Sequence, residues 1–168
     1  MVKKKSQRSK EYEESLTEMK EDYIRTIYVL RDRNKQDPKV TEIAKYLKQK
    51  KSTVSEALKT LHDQGLVYKE RYKPIILTER GLKLALKLTW KHRLIELFLY
   101  NVLDFSLEDL HQEAHKLEHA TSDILADKLH EFITNPEQSK KKLEMINKVE
   151  ILTCPHGQPL PDKKDFFE

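Results

Sequence analysis

The chain has 168 residues, of which 38% are hydrophobic and 36% charged, enough for one compact domain or two small ones with a large charged surface. A single cysteine, Cys154, excludes an internal disulfide and fits a reducing compartment. No apolar run could span a membrane or serve as a signal peptide, and no phosphate-cradling glycine motif occurs, so we expect a cytoplasmic protein with neither membrane nor small organic ligand as partner.

Charge is distributed unevenly along the chain. Residues 1–80 contain 20 Lys+Arg and 13 Asp+Glu, a net charge of +7, whereas residues 81–168 contain 12 and 15, a net charge of −3. A basic half joined to a mildly acidic half indicates a polyanion-binding module attached to something else. Residues 1–14 read as a basic disordered tail.

Residues 15–80 predict a winged helix-turn-helix. A first helix is expected over about 16–32, with Ser15 and Glu18 as a capping box. A short helix from about residue 41 and a third from 52 to Gly65 are joined by a short polar turn, which is typical of a helix-turn-helix. The β-favouring runs 66–69 and 75–77 then predict a basic hairpin, the wing.

Residues 81–153 predict an all-helical domain. Thr78 can cap a helix over about 79–101 that is apolar over much of its circumference, so we expect it to be buried against a second copy of the chain. Ser106 and Asp109 open a further helix that is expected to extend towards residue 132. A polar helix over 137–150 and an extended tail over 154–168 complete the prediction.

Four metal-ligand side chains share one face of the helix that Ser106 opens. At about 100° per residue they fall within an arc of about 100°. They are His111, His115, Glu118 and His119. His92 and Glu96 form a second, i,i+4 pair. Imidazole and carboxylate together suit Mn, Fe, Co or Zn, although each group could instead be an ordinary solvated helix face.

The residues expected to contact DNA lie on the third helix and the hairpin. The first turns of a recognition helix face base edges in the major groove, and lysines around them contact phosphates. These residues are Ser52, Thr53, Ser55 and Glu56 for bases, Lys50, Lys51 and Lys59 for phosphates, and Arg71 and Lys73 on the hairpin. A winged helix that binds another protein is the alternative, in which Lys50 and Lys51 are solubilising charges.

Two other functions compete with DNA binding. His115-Lys116-Leu117-Glu118-His119 matches the H-x-x-E-H pattern of some zinc proteases, in which the histidines hold zinc and the glutamate is the general base. Seven histidines could also serve a metal-storage protein. A protease needs a further acidic ligand and a substrate cleft, so we expect no enzyme.

The order of these parts over residues 16–133 resembles the diphtheria-toxin-repressor (DtxR/MntR) family of metal-dependent transcriptional repressors. The matching stretches are EDYIRTIY at 21–28, VSE at 54–56, GLV at 65–67, TERG at 78–81, KHRL at 91–94 and HQEAHKLEH at 111–119. The resemblance implies a mainly α protein without the SH3-like domain of larger members, acting as a homodimer on a palindromic double-stranded operator. Residues 137–153 look like an insertion without an assigned role.

The resemblance also implies two metal sites. The primary site would comprise Asp22, His115, Glu118 and His119, and the ancillary site His92, Glu96 and His111. Iron-responsive members have a thioether at the position of Asp22 and a cysteine at that of His115; manganese-responsive members have carboxylates at the positions of Arg25 and His115. With this hybrid set we expect Mn²⁺ first and Fe²⁺ next, with Zn²⁺ or Co²⁺ also binding in vitro. The metal would bridge the DNA-binding and dimerisation domains of a repressor of manganese or iron homeostasis genes.

Overall fold

A computed structural model describes residues 18–135, 137, 139–141 and 144. The predicted tail 1–14, the cap at Ser15, most of the insertion at 137–153 and the tail 154–168 with Cys154 lie outside the described residues. The chain divides into two compact units, Met1–Ser122 and Asp123–Glu168. None of the described helices is both long enough and apolar enough to cross a membrane.

The first unit contains five helices and a two-stranded sheet among its described residues. In chain order they are α1 (Glu18–Asn34), α2 (Val40–Tyr46), α3 (Lys51–Asp63), β1 (Val67–Tyr68), β2 (Ile76–Leu77), α4 (Glu79–Leu103) and α5 (Leu107–Glu118). The second unit contains α6 (Asp123–Thr134), and the described residues of 137–144 are also helical.

The first half of this unit is the predicted winged helix-turn-helix. The α2 and α3 helices are joined by the turn at 47–50. Gly65 follows the C-terminal end of α3 and has φ +70°, a left-handed conformation that glycine adopts without strain. The strands pair antiparallel, Val67 opposite Leu77 and Tyr68 opposite Ile76, and form the wing. The amide of Ile75 donates to the carbonyl of Pro38, which ties the wing to the connection before α2.

One apolar core holds these elements together. The α1 helix contributes a stripe at 23, 24, 27 and 30, the i, i+4, i+7 pattern of a helix with one buried face. Buried residues from every other element of the winged helix meet it, and Ala85 and Leu88 of α4 belong to the same cluster. The N-terminal half of α4 is therefore part of the core of the winged helix-turn-helix.

The start of α4 is fixed by a close backbone approach. The hydroxyl of Thr78 accepts from the amide of Gly81, as the predicted cap requires, and donates to the carbonyl of Gly65. A Cβ on Gly81 would lie 1.9 Å from the carbonyl oxygen of Leu66, so only glycine fits at this position. The long α4 helix, which carries His92 and Glu96, thus leaves the wing in a set direction.

The α4 helix keeps an apolar stripe exposed in the protomer. The spacing of the stripe places it within an arc of about 80° of helix surface. Its members are Leu86, Trp90, Leu97 and Tyr100. Arg93 is also exposed within this arc and separates the first two of these residues from the last two. Large exposed apolar residues on one helix face are typical of an interaction site, in line with the expectation of burial against a second copy.

The prediction of one helix from residue 107 to about 132 was wrong. The α5 helix ends at Glu118, and α6 begins at Asp123. Both the hydroxyl and the amide of Thr121 donate to the carbonyl of Leu117, and a Thr-Ser pair favours caps and turns over helix interiors. At the other end the prediction was right, because the hydroxyl of Ser106 accepts from the amide of Asp109.

Candidate metal centre and nucleic-acid interface

The first cluster of metal-ligand side chains lies where the first turns of α1 face the C-terminal end of α5. Asp22 comes from α1, His115 and Glu118 from α5, and His119 from the residue that caps α5. One possible ligand atom from each of the four lies within 4.8 Å of the others. Asp22 Oδ1 is 3.3 Å from His119 Nε2, and His115 Nδ1 is 2.7 Å from Glu118 Oε1.

Two atoms of this cluster are buried without a hydrogen-bond partner. They are Asp22 Oδ1 and His119 Nε2. The two atoms face each other at an ion-pair distance of 3.3 Å, and Asp22 Oδ1 is also 3.7 Å from His115 Nδ1. An oxygen and a nitrogen lone pair that converge from different helices are suited to a divalent cation, which would satisfy both. The four side chains therefore fit a metal ion.

Glu118 is the buried centre of the cluster. Its side chain is 1% exposed, and burial by itself would raise its pKa. Hydrogen bonds from His92 and His115 and the charge of Arg25 outweigh burial, and the pKa of Glu118 is lowered. The glutamate is therefore ionised at neutral pH, which is the form a metal ligand needs.

His119 shows the opposite balance. Burial by itself would lower its pKa, but the hydrogen bond to Glu21 and the charges of Asp22, Glu118 and Glu21 raise it. The surrounding carboxylates thus favour a positive charge at the position of this ring. A bound cation would supply that charge in place of a proton.

The second cluster joins α4 to α5. His92 Nε2 lies 3.0 Å from His111 Nδ1 and 3.1 Å from Glu96 Oε1, and His111 Nδ1 lies 3.1 Å from the same oxygen. Three donors about 3 Å apart match neighbouring ligands that each lie about 2.1 Å from one octahedral ion. His92 is buried and the side chain of His111 is 62% exposed, so this cluster opens to solvent on one side.

The two clusters share a hydrogen bond. His92 Nδ1 donates to Glu118 Oε2 at 2.9 Å, and both side chains are buried. Although the helical wheel puts His111 on one face with His115, Glu118 and His119, the structure divides that face. His111 meets His92 and Glu96, while the other three residues meet Asp22.

Two residues beside the first cluster were given no contact with it from the sequence, although Arg25 was noted as a departure from the manganese-responsive pattern. Arg25, one turn after Asp22 on α1, lies with Nη2 3.4 Å from Glu118 Oε1. Its i,i+3 spacing from Asp22 could have placed it on the same helix face. Glu21 accepts a hydrogen bond from His119, and no local pattern distinguishes it from the other acidic residues of the first turns.

The residues predicted to contact DNA lie on two neighbouring surfaces. On α3 and its N-cap, six of them are exposed and Ser55 is half-buried. Ser55, Arg71 and Lys73 also line one groove of about 330 Å³ between α3, the wing and the start of α2. Lys39, Thr41 and Lys69 line the same groove and were missed, because the chain before α2 and the base of the wing meet only in three dimensions.

Two wing residues make local contacts within the wing. Lys73 pairs with Glu70 at 2.6 Å, and the guanidinium of Arg71 lies 4.9 Å from the ring centre of Tyr72. Tyr72 turns the tip of the wing with φ +65°. Because the Lys73 pair is exposed, it contributes little stability and can exchange for a phosphate.

A winged helix joined by one long helix to clusters of nitrogen and oxygen donors is the arrangement of a DNA-binding regulator that responds to a metal ion. Residues 15–75 match the family model for the iron dependent repressor N-terminal DNA binding domain. Residues 78–147 match the model for the iron dependent repressor metal binding and dimerisation domain. The chain belongs to the iron-dependent repressor (DtxR/MntR) family of metal-dependent, DNA-binding transcriptional repressors.

Individual relatives agree with this assignment. The chain is 41% identical over 113 residues to an uncharacterised HTH-type transcriptional regulator of Methanocaldococcus jannaschii, covering 67% of this chain and 90% of that protein. It is 30% identical over 131 residues to the transcriptional regulator MntR of Geobacillus kaustophilus, covering 77% and 91%. The structure of the manganese regulator SloR matches with a TM-score of 0.61 at 34% identity, covering 86% of this chain and 63% of that one.

The comparisons give no support to the alternative functions. The family consists of DNA-binding transcriptional regulators and not of enzymes, so the H-x-x-E-H match does not indicate a protease. The buried position of Glu118 agrees, because a general base must reach its substrate or an attacking water molecule.

Proposed function

We propose that the protein is a manganese-activated repressor in which Asp22, His115, Glu118 and His119 hold the activating ion. The observation that carries this proposal is the pair of unpartnered buried atoms, Asp22 Oδ1 and His119 Nε2, which α1 and the end of α5 direct at each other from 3.3 Å. When bound, a divalent cation would replace the proton that the surrounding carboxylates favour on His119 and would pair with Asp22 Oδ1.

Switching follows from where the donors lie in the chain. His115, Glu118 and His119 come from one helix end and have nearly the same relative positions in any state of the protein. Asp22 comes from the DNA-binding half, so its engagement fixes α1 against α5. Tyr23, the next residue, donates from its hydroxyl to the side chain of Gln49 in the turn before α3. The position of α1 is thereby passed to the recognition helix.

We propose an ancillary site at His92, Glu96 and His111. The triangle of donors about 3 Å apart supports it, as does the direction of His92, whose other ring nitrogen donates to Glu118. Filling this site requires His92 Nε2 without a proton and hence Nδ1 with one. That is also the form of the ring that orients the carboxylate of Glu118.

The donor chemistry favours Mn²⁺ over Fe²⁺. Both clusters offer only oxygen and nitrogen, with a carboxylate at Asp22, and hard oxygen donors suit manganese. The names of MntR and SloR associate those two relatives with manganese, whereas the name of the family model refers to iron. Zn²⁺ and Co²⁺ should also bind in vitro, because the stability of such complexes rises along the first-row series.

We propose that a homodimer binds a palindromic operator through the two surfaces described above. The exposed apolar residues of α4 would pack against those of a second copy, and a two-fold dimer presents its recognition helices to matching half-sites. Ser52, Thr53, Ser55 and Glu56 would read bases. Lys50, Lys51, Lys59, Arg71 and Lys73 would contact phosphates, joined by Lys39 and Lys69, which line the same groove.

The test is a titration of fluorescent DNA from upstream of the protein's own gene, with Mn²⁺, anaerobic Fe²⁺, Zn²⁺ or Mg²⁺. We expect Mn²⁺ to raise DNA affinity about 5–150-fold for each coupled site, and Mg²⁺ to have little effect. DNA affinity that does not depend on any of these ions would contradict metal activation. Activation by Fe²⁺ at lower free concentration than Mn²⁺ would reverse the choice of metal.

A further inference from the structure

Two consecutive acidic residues of α1 lie on either side of the His119 ring. Asp22 Oδ1 is 3.3 Å from Nε2, whereas Glu21 Oε2 is 2.8 Å from Nδ1. The His119 side chain is 8% exposed and that of Glu21 is 24% exposed, so the contact with Glu21 is largely shielded from water. It joins residues 98 positions apart in the sequence.

The contact with Glu21 decides which ring nitrogen of His119 carries hydrogen. An ionised carboxylate can only accept hydrogen bonds, so Nδ1 must donate. In the neutral ring Nε2 is then bare. Nε2 is the buried atom without a hydrogen-bond partner, and it also lies 3.5 Å from Glu118 Oε1. The lone pair that a metal would use is thus already directed at the other donors.

We propose that Glu21 is a positioning residue for the metal centre: it holds His119 in the tautomer and orientation that present Nε2 to the ion. The inference rests on the proposed metal site and deepens it. Asp22 acts as a ligand, and Glu21 acts through another ligand. A carboxylate on the remote nitrogen of a ligating histidine fixes the ring and increases its basicity, and losing such a partner reduces metal affinity about 10–100-fold.

Glu21 also contributes to the connection between the two halves of the switch. Its hydrogen bond holds the first turns of α1 against the end of α5 before any ion is present. Only a small movement is then needed to bring Asp22 into contact with the ion. The same α1 helix therefore supplies a permanent contact and a metal-dependent one.

The variants for the test are Glu21→Gln, Glu21→Ala and a matched control, Glu18→Gln, which removes an exposed carboxylate one turn earlier on α1. Glutamine keeps an oxygen that can accept from Nδ1 but lacks the charge, so it should preserve the tautomer and lose part of the affinity. Alanine should lose both. Circular dichroism of the metal-free variants checks that they fold.

The first measurement is the pair of side-chain ¹⁵N chemical shifts of His119 in the metal-free protein, at a pH where the ring is neutral. We expect hydrogen on Nδ1 in wild type, Glu18→Gln and Glu21→Gln, and a mixture of tautomers in Glu21→Ala. The second is Mn²⁺ affinity, measured from the electron paramagnetic resonance signal of the free ion. We expect a 10–100-fold loss in Glu21→Ala and a smaller loss in Glu21→Gln.

An unchanged tautomer in Glu21→Ala, or Mn²⁺ affinity within twofold of Glu18→Gln, would overturn the role of Glu21. If Glu21→Ala does not fold, the affinity of Glu21→Gln decides, and an affinity equal to that of the control rejects the proposal. His119→Ala separates the two levels of inference. If that variant binds Mn²⁺ as wild type does, the proposed metal site itself is wrong.

Discussion

Replacing Asp22 with alanine should separate metal binding from switching. Three candidate metal ligands from the end of α5 remain, and water can fill the position that Asp22 leaves. Glu118 Oε1 lies 2.7 Å from His115 Nδ1 and 3.5 Å from His119 Nε2. Metal should therefore still bind, but more weakly. Two links between α1 and α5 remain, Arg25 to Glu118 and Glu21 to His119, and both exist without metal. The variant therefore keeps only the indirect coupling of the ion to α1 that Glu21 provides through His119.

The expected size of the effect follows from that difference. Coupling of about 1–3 kcal/mol per site corresponds to a gain of about 5–150-fold in operator affinity for wild type. In Asp22→Ala the gain at saturating metal should fall well below that of wild type, because the ion no longer contacts α1 directly and couples to it only through Glu21 and His119. His119→Ala should differ, since it removes a donor of the α5 set and raises the metal concentration needed for any response.

The assay is a two-dimensional titration of Mn²⁺ and operator DNA on both variants and wild type. Asp32→Ala is a matched control, because Asp32 lies on the same helix, is half exposed and pairs only with the exposed Lys35 among the contacts described for it. It should respond to metal as wild type does. Operator affinity of metal-saturated Asp22→Ala equal to that of wild type would refute the bridging mechanism.

Four further outcomes are expected. Operator affinity should fall about 10³–10⁵-fold between 50 and 200 mM salt if a dimer neutralises roughly 6–10 phosphates, and a flat response in the same anisotropy assay would exclude phosphate contacts as its source. Leu97→Asp should shift the sedimenting species from dimer to monomer, because it places a charge in the apolar stripe of α4, whereas Lys83→Asp near the start of the same helix should not. Because the pKa of His119 is raised above 6.5, Mn²⁺ binding near neutral pH should release protons, and lowering the pH should begin to weaken Mn²⁺ affinity while the pH is still above 6.5. Calorimetry in buffers of different ionisation enthalpy measures the number of protons released, which should be smaller in His119→Ala. Gly81→Ala should destabilise the protein by about 1–3 kcal/mol or more in urea unfolding, because its Cβ would meet the Leu66 carbonyl at 1.9 Å; unchanged stability would mean that α4 can shift freely.

The sequence determined the local structure and the type of chemistry. Helical periodicity, the capping residues Thr78 and Ser106, and Gly65 depend on neighbours within a few positions, so they predicted the winged helix and the α4 helix with errors of one or two residues. The spacing of His115, Glu118 and His119 placed them on one face for the same reason. The end of α5 was missed, because a helical face continues through Thr121 and Ser122 although their hydroxyl groups favour a turn.

Spacing and periodicity did not group these donors; the grouping was expected only from the resemblance to the family, and the tertiary structure shows the packing that produces it. Sequence spacing cannot show that His111 contacts α4 whereas His119, at the end of α5, contacts α1. These contacts depend on how helices from distant segments pack against each other. The same packing puts Arg25 beside Glu118, and Glu21 and Asp22 on opposite sides of His119. Glu21 and His119 are 98 positions apart in the sequence, so the periodicity of α1 or α5 cannot predict that they are in contact.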